Sequence, residues 1–397
     1  MSRDTLAFAA ACAGMLLFGI VFLSLGSVNN MLAERFQLDN NAIGTLTALL
    51  PFGILAGSLV FGPVVDRFGY RWMLVAASLV VGAGLEGLAF ADRPGLVQIF
   101  VFLIGAGGGV LNGATNALAA DVSPGARGAR LSLLGVFFGL GAMTMPATLA
   151  LLSRHYTLPA IVSAIGLLTL VPAAWFLVSW LPPPKPRAAA HSLGGGFALL
   201  KDPVFLFAGL ALAVQSGMEG MSNDWMTRYF RHVTLAGQAA EEWRTQLGLL
   251  AVTGAMVVTR LVLSRVLTRA RSRAILFGSI GVTAAGAALL LREPGYAASL
   301  AAALCLGAGL AAAFPVVLGY VGDVYPARSG TAFSTLFAVA LVGNMTINKS
   351  FGAVAQAHGV GQYATVMLAC LALSAVLLAL VVRRLAAHQA APEDGTP

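Results

Sequence analysis

Asn112 and Asn116 stand four residues apart, as do Asn344 and Asn348, and Gln215, Glu219 and Asn223 repeat that interval twice. On a helix this interval places side chains on one face. Asn29 and Asn30 are adjacent, Lys349 follows Asn348, and Trp225 comes shortly after Glu219. Amides donate and accept hydrogen bonds, so such faces suit a neutral, hydroxyl-rich solute on which an indole could stack. Glu219 is read as the carboxylate well inside its apolar run and is the candidate to couple a proton, with Lys349 or Arg260 as its ionic partner. The same amides could instead bond helix to helix, Trp225 could anchor at a membrane interface, and the charges could form a structural bridge.

Catalytic chemistry finds no foothold. No nucleotide-binding loop, no metal-like His or Cys spacing and no nucleophile beside a base can be found. His155, His191, His232, His358 and His388 fall in loops, tails or the ends of apolar runs. Cys12, Cys305 and Cys370 lie inside apolar runs without close spacing, as small buried hydrophobes do. The expectation is no enzyme, no metal and no cofactor.

The elements that carry these residues follow from composition. Only 10% of the chain is Asp, Glu, Lys or Arg and 58% is hydrophobic, with a mean hydropathy of +0.85. A soluble domain carries about 25% charge, whereas a bilayer demands about 20 apolar residues per spanning helix. Twelve helical spans are predicted near 5–30, 41–64, 72–91, 95–121, 131–153, 159–181, 203–230, 244–266, 274–292, 296–323, 330–356 and 362–382. The first is read as a span and not a signal peptide, because its apolar run is too long and lacks a clear cleavage site. The net charge of +8 could suggest nucleic acid. Its placement argues against that partner: 15 of the 24 Lys and Arg residues fall on one side of the predicted spans and 6 on the other. The bias puts both termini in the cytoplasm of a multi-pass inner-membrane protein.

A Pro- and Gly-rich stretch divides the chain into a six-helix bundle at 1–181, a cytoplasmic linker at 182–202, and a second bundle with a short tail at 203–397. Gly105-Ala106-Gly107 recurs as Gly307-Ala308-Gly309, and Asp121-Val122 as Asp323-Val324, at the same offset of 202 residues. Two parallel repeats of six helices place a binding site between them near the midplane. The GxxxG pairs Gly53/Gly57 and Gly135/Gly139 predict close helix packing.

The run Gly62-Pro63-Val64-Val65-Asp66-Arg67-Phe68-Gly69-Tyr70-Arg71 resembles the GxxxDRxGxR signature of the major facilitator superfamily, and the twelve-span layout extends the likeness to the whole chain. The resemblance implies that Asp66 and Arg67, with Arg71, gate the cytoplasmic side. It also implies that the first, fourth and seventh helices line the central cavity. VNNML in the first span, GxGxGxLNxxxNAL in the fourth, FFGLGAMTMP in the fifth, GMEGMSNDWMTRYF in the seventh and Phe314-Pro315 in the tenth are similar to the fucose–galactose–glucose:proton symporter family, which includes fucose permease. That likeness places Asn29, Asn30, Asn112, Asn116, Glu219 and Trp225 at or near a sugar site. Members of that family carry carboxylates where this chain has Gly26 and Asn112.

The function expected is alternating-access transport of a small polar solute, foremost a monosaccharide, with protons as possible partner and the protein acting as a monomer in the bilayer. Gln215, Asn223, Asn344, Asn348 and Lys349 complete the expected binding set. The 22 Phe and 12 Met residues keep open an exporter of drug-like compounds. Lys349, Arg228 and Arg260 keep open an organic-anion carrier. A non-transporting membrane sensor is disfavoured, since tails and loops are short.

Overall fold

The computed structural model describes residues 3–122, 127–184, 198–236, 241–266, 272–325 and 328–390. Among them there are helices and no strand. Twelve helices have the length and hydropathy to cross a bilayer: α1 (Arg3–Phe36), α2 (Asn40–Gly62), α3 (Arg67–Phe90), α4 (Pro94–Asp121), α5 (Leu133–Leu152), α6 (Leu158–Val178), α7 (Pro203–Thr234), α8 (Glu242–Leu263), α9 (Ser272–Leu290), α10 (Tyr296–Val324), α11 (Thr331–His358) and α12 (Val360–Arg384). Each meets one predicted span. Helices satisfy every backbone group internally, as an apolar environment requires.

Local chemistry sets their ends. Asp39 caps α2 by accepting from the Ala42 N–H at 2.7 Å. Asp202 caps α7 through the Val204 N–H at 2.8 Å, and Pro203 opens the first turn, where its missing N–H costs nothing. Over the whole α2–α3 stretch, Asn40–Phe90, the backbone leaves helical geometry only at Gly69 in the first turn of α3, with φ of 77°, a conformation that glycine adopts without a Cβ penalty. The α7 helix ends in a π-helical turn, Phe230–Thr234. The α10 span is broken: one helix runs Tyr296–Leu310 and a second Ala313–Val324. Pro315 at the break has no N–H for the Ala311 carbonyl.

Large apolar side chains such as Val178, Leu151, Phe90 and Leu59 are exposed on the bundle surface, where hydrocarbon would cover them. Small residues draw the helices together inside. A Cβ on Gly57 would stand 2.0 Å from the Ala106 carbonyl oxygen, so α2 and α4 touch backbone to backbone. Gly53 does the same one turn away, Gly139 meets Val257 of α8, and Gly135 faces open space.

Helices α1–α6 meet α7–α12 chiefly through α1 with α7, α2 with α11 and α5 with α8. The polar bridges across this divide gather on the side opposite the chain ends, called here the far side. Thr227 Oγ1 donates to the Gly26 carbonyl at 2.8 Å, Gln246 Nε2 to the Ser27 carbonyl at 2.7 Å, and Asn40 Nδ2 to the Ala355 carbonyl at 3.1 Å. Arg154 pairs with Glu241 at 2.9 Å, and Arg231 with Glu34. Gly44 and Gly352 let α2 and α11 cross in near-contact there.

Candidate functional site

Midway along α7, the four-residue spacing brings Gln215 and Glu219 into one network. The Glu219 carboxylate accepts two bonds from Arg260 Nη2 of α8, at 3.1 and 3.2 Å, and one from Gln215 Nε2 at 3.2 Å. Gln215 Nε2 also donates to the Leu310 carbonyl at 2.8 Å. Leu310 closes the first segment of the broken α10, so Gln215 takes up a carbonyl at a helix end that would otherwise lack a donor. Three helices are thereby tied at one carboxylate. The Glu219 side chain is 9% exposed and that of Arg260 35%, so the carboxylate is sequestered while the guanidinium keeps an open edge. A charged pair at this depth is costly unless hydrogen-bonded in full or open to water.

On α4, Asn116 Nδ2 donates to the side-chain and backbone oxygens of Asn112, both at 2.9 Å. Three sectors of α4 are occupied: Gly105 and Gly109 lie on α2, Gly107 on α3, and Gly108 with Thr115 on α1. At 100° per residue, Asn112 projects between the α1 and α2 sectors, and Asn116 falls on the α2 side of it. Both are half-buried.

The other amides are engaged between helices. Asn344 Nδ2 donates to the Ser216 carbonyl at 2.9 Å. Asn348 Nδ2 donates to Asn344 Oδ1 at 3.0 Å, and Asn348 Oδ1 accepts from Trp225 Nε1 at 3.1 Å. Trp225 is fully buried and meets Phe351 edge-on at 4.8 Å. This chain of bonds staples α7 to α11. Asn29 Nδ2 donates to the Asp224 carbonyl at 2.7 Å, fixing α1 on α7, while the Asn30 amide is buried without a partner. Asn223 is buried, and its carbonyl oxygen would lie 2.0 Å from a Cβ on Gly26. Lys349 reaches α2 on the far side, donating to Asn41 Oδ1 at 2.8 Å and Thr45 Oγ1 at 2.7 Å.

At the α2–α3 turn, the exposed Arg67 guanidinium lies over the Phe68 ring at 5.4 Å. Arg71 Nη2 donates to the Ser179 carbonyl at 3.0 Å. The Asp66 side chain lies outside the described residues. Two intramembrane carboxylates escaped the sequence reading. Asp224 is 5% exposed. Glu86 of α3 accepts from Ser163 Oγ at 2.7 Å. Their positions inside apolar runs were the available signal.

Residues 6–240 match the family model described as Major Facilitator Superfamily. The chain belongs to that superfamily. Similar curated proteins include the MFS-type transporter YfkL of Bacillus subtilis, 24% identical over 224 residues that make up 53% of this chain and 54% of that protein. The gentisate transporter of Corynebacterium glutamicum is 28% identical over 27% of this chain and 24% of its own length. The 4-hydroxybenzoate transporter PcaK of Pseudomonas putida is 31% identical over 25% and 24%. The matched stretches thus span half of the first relative and a quarter of the other two. Among solved structures, nucleoside transporter NupG superposes with a TM-score of 0.75 at 16% identity, over 96% of this chain and 99% of that one. A D-xylose–proton symporter gives 0.77 at 15%, over 95% and 97%. These likenesses establish the fold, an all-helical membrane bundle of the superfamily.

Proposed function

We propose that this superfamily member moves a small polar solute across the cytoplasmic membrane by alternating access, with both termini in the cytoplasm. The reading rests on one observation: a hydrogen-bonded Glu219–Arg260 pair sits at mid-membrane depth with the guanidinium partly open. Hydrocarbon does not tolerate that arrangement, whereas a wet chamber between two helical bundles does. The bundles are 1–181 and 203–397, joined by the 182–202 linker. Crowding of the bridges on the far side supports a state closed to the outside. Gln215, Glu219, Arg260, Asn112 and Asn116 form the solute-facing set, while Asn29, Asn344, Asn348 and Trp225 hold the helices in place.

A monosaccharide is the first choice of solute. The amides of Asn112, Asn116 and Gln215 match hydroxyl groups, and the internally neutralised ion pair leaves no net charge to balance. Glu219 is the proton-coupling carboxylate in this reading, with Asp66, Arg67 and Arg71 as the cytoplasmic gate. The fucose-permease-like motifs point the same way. A second reading, an aromatic or other organic carboxylate, is favoured by the open edge of Arg260 and by the gentisate and 4-hydroxybenzoate transporters among the relatives.

Uptake into proteoliposomes of labelled monosaccharides and of 4-hydroxybenzoate, with and without an inward proton gradient, tests both. Gradient-driven sugar uptake lost in Glu219→Gln supports the first reading. Saturable uptake of the acid alone replaces it with the second. Uptake of neither, in vesicles where the protein is folded, refutes both.

A further inference from the structure

A charged cavity lies on the far side, away from the Glu219 network. Its volume is about 610 Å³. Its wall includes Arg228 and His232 from the end of α7, Asn40 from the start of α2, Glu293 from the α9–α10 turn, and His358 with Gly359 to Gln362 at the α11–α12 turn. Arg228 is 6% exposed. Its Nη2 donates to Asn40 Oδ1 at 2.7 Å, but its Nε is buried with no partner. Among the described residues no carboxylate comes within ion-pair distance of it. Glu34 and Glu242 pair with the neighbouring Arg231, so Glu34 acts on Arg228 only from beyond ion-pair distance. Removal of a guanidinium from water without a counter-charge is costly, so a buried, unneutralised arginine on a cavity wall calls for an anion in that cavity.

A second feature of the wall points to the same ligand class. Gly359, at φ of 87°, turns the chain into α12, which begins with a tight turn over Val360–Gln362. The N-terminal end of this spanning helix thus faces the cavity. The Gly359, Gln362 and Tyr363 N–H groups are bonded to backbone carbonyls, which leaves those of Val360 and Gly361 with the positive dipole end, a setting that favours phosphate, sulfate and carboxylate. The arginine fork adds paired donors. His232 and His358 supply further donors, and Glu293 is the one acidic residue among the described residues of the wall.

We propose that this chamber is an oxyanion-binding site. It bridges the two sets of helices, because Asn40 belongs to α2 and Arg228 to α7. Arg228 and the α12 start hold the oxyanion from one set of helices, and the Arg228–Asn40 bond places it directly beside the contact with the other set. A soluble ion and a lipid headgroup phosphate share this chemistry.

Sodium sulfate is titrated into the purified full-length protein in detergent at constant ionic strength, with sodium chloride as the balance, and thermal unfolding is followed. A saturable rise in Tm is expected. In Arg228→Gln the midpoint moves at least about tenfold higher, and in Glu293→Gln about two- to fivefold lower. Should Arg228→Gln not fold, the opposite shifts of Glu293→Gln and His358→Gln carry the test. Bulk stabilisation by sulfate rises without saturation and equally in every variant; that result, or no rise, overturns the site. Repetition in phosphatidylcholine and phosphatidylglycerol nanodiscs separates the sources. A sulfate response abolished only by phosphatidylglycerol assigns the site to a headgroup, and one that survives assigns it to a soluble ion.

Discussion

Replacing Arg260 by Gln strands the Glu219 carboxylate with Gln215 as its remaining donor, whereas replacing Glu219 by Gln strands a guanidinium that already has an open edge. The structure makes these two losses unequal. Breaking a buried pair from one side costs about 3–5 kcal/mol, and the 9% exposure of Glu219 puts it near that regime. In the proposed wet chamber water screens Arg260, which is 35% exposed, so its stranded charge costs about 1 kcal/mol. Arg260→Gln should thus destabilise by about 3 kcal/mol and Glu219→Gln by about 1 kcal/mol, while the double variant, which leaves two neutral amides, should lose about 1–2 kcal/mol. The coupling between the two positions is then about 2–3 kcal/mol. For a chain of this length a loss of 1 kcal/mol lowers Tm by about 1–2 °C, so the order of the four melting curves in one detergent is the readout. Equal losses from the two single variants, or losses that sum in the double, would refute the view that one shielded carboxylate organises this junction.

Two further outcomes are expected. Gly26→Ala places a methyl against the Asn223 carbonyl oxygen, 2.0 Å from the Cβ position, so α1 and α7 must separate; a cysteine at Ser27, fully buried here, should then react with a maleimide about tenfold faster, and an unchanged rate would contradict the tight crossing. The Glu241 carboxyl is held below its ordinary range by the Trp243 N–H first and by Arg154 next, so the Arg154–Glu241 contribution to stability exists above the ordinary carboxylate range and fades only as pH falls through the lowered value. The Tm gap between the protein and Arg154→Gln should accordingly persist at mildly acidic pH and close in stronger acid; a gap that closes already near pH 6 would contradict the assignment.

How much of this was legible beforehand depends on which partners a residue needs. Spanning helices need only their own side chains, so hydropathy located all twelve, but the tenth was read as one continuous helix and the interruption four residues before Pro315 was not anticipated. Amides need a neighbour. Asn112/Asn116 and Asn344/Asn348 share one spacing, yet the second pair abuts Gly220, whose Cβ position is 2.4 Å from Asn344 Nδ2, and is absorbed by α7. No periodicity distinguishes them, because the distinction lies on a helix more than 100 residues away. The Glu219–Arg260 bond spans 41 residues, and the sequence could only offer Arg260 and Lys349 as rivals. Gly26 was noted for the carboxylate it lacks; the fold shows what its smallness does, admitting the backbone of α7. Asp224 and Arg228 sit near one end of a long apolar stretch, where sequence alone does not tell a buried charge from one at the rim.

The interruption of α10 has a mechanical corollary. A rod with an unbroken hydrogen-bond ladder is stiff along its whole length, whereas α10 keeps near-helical backbone at Ala311 and Ala312 but loses ladder bonds there, which makes that joint its softest point. The amide of Gln215 clasps the rim of that joint at Leu310 and also grips Glu219. A change at the carboxylate would therefore be felt at the clasp, where the Tyr296–Leu310 and Ala313–Val324 segments meet.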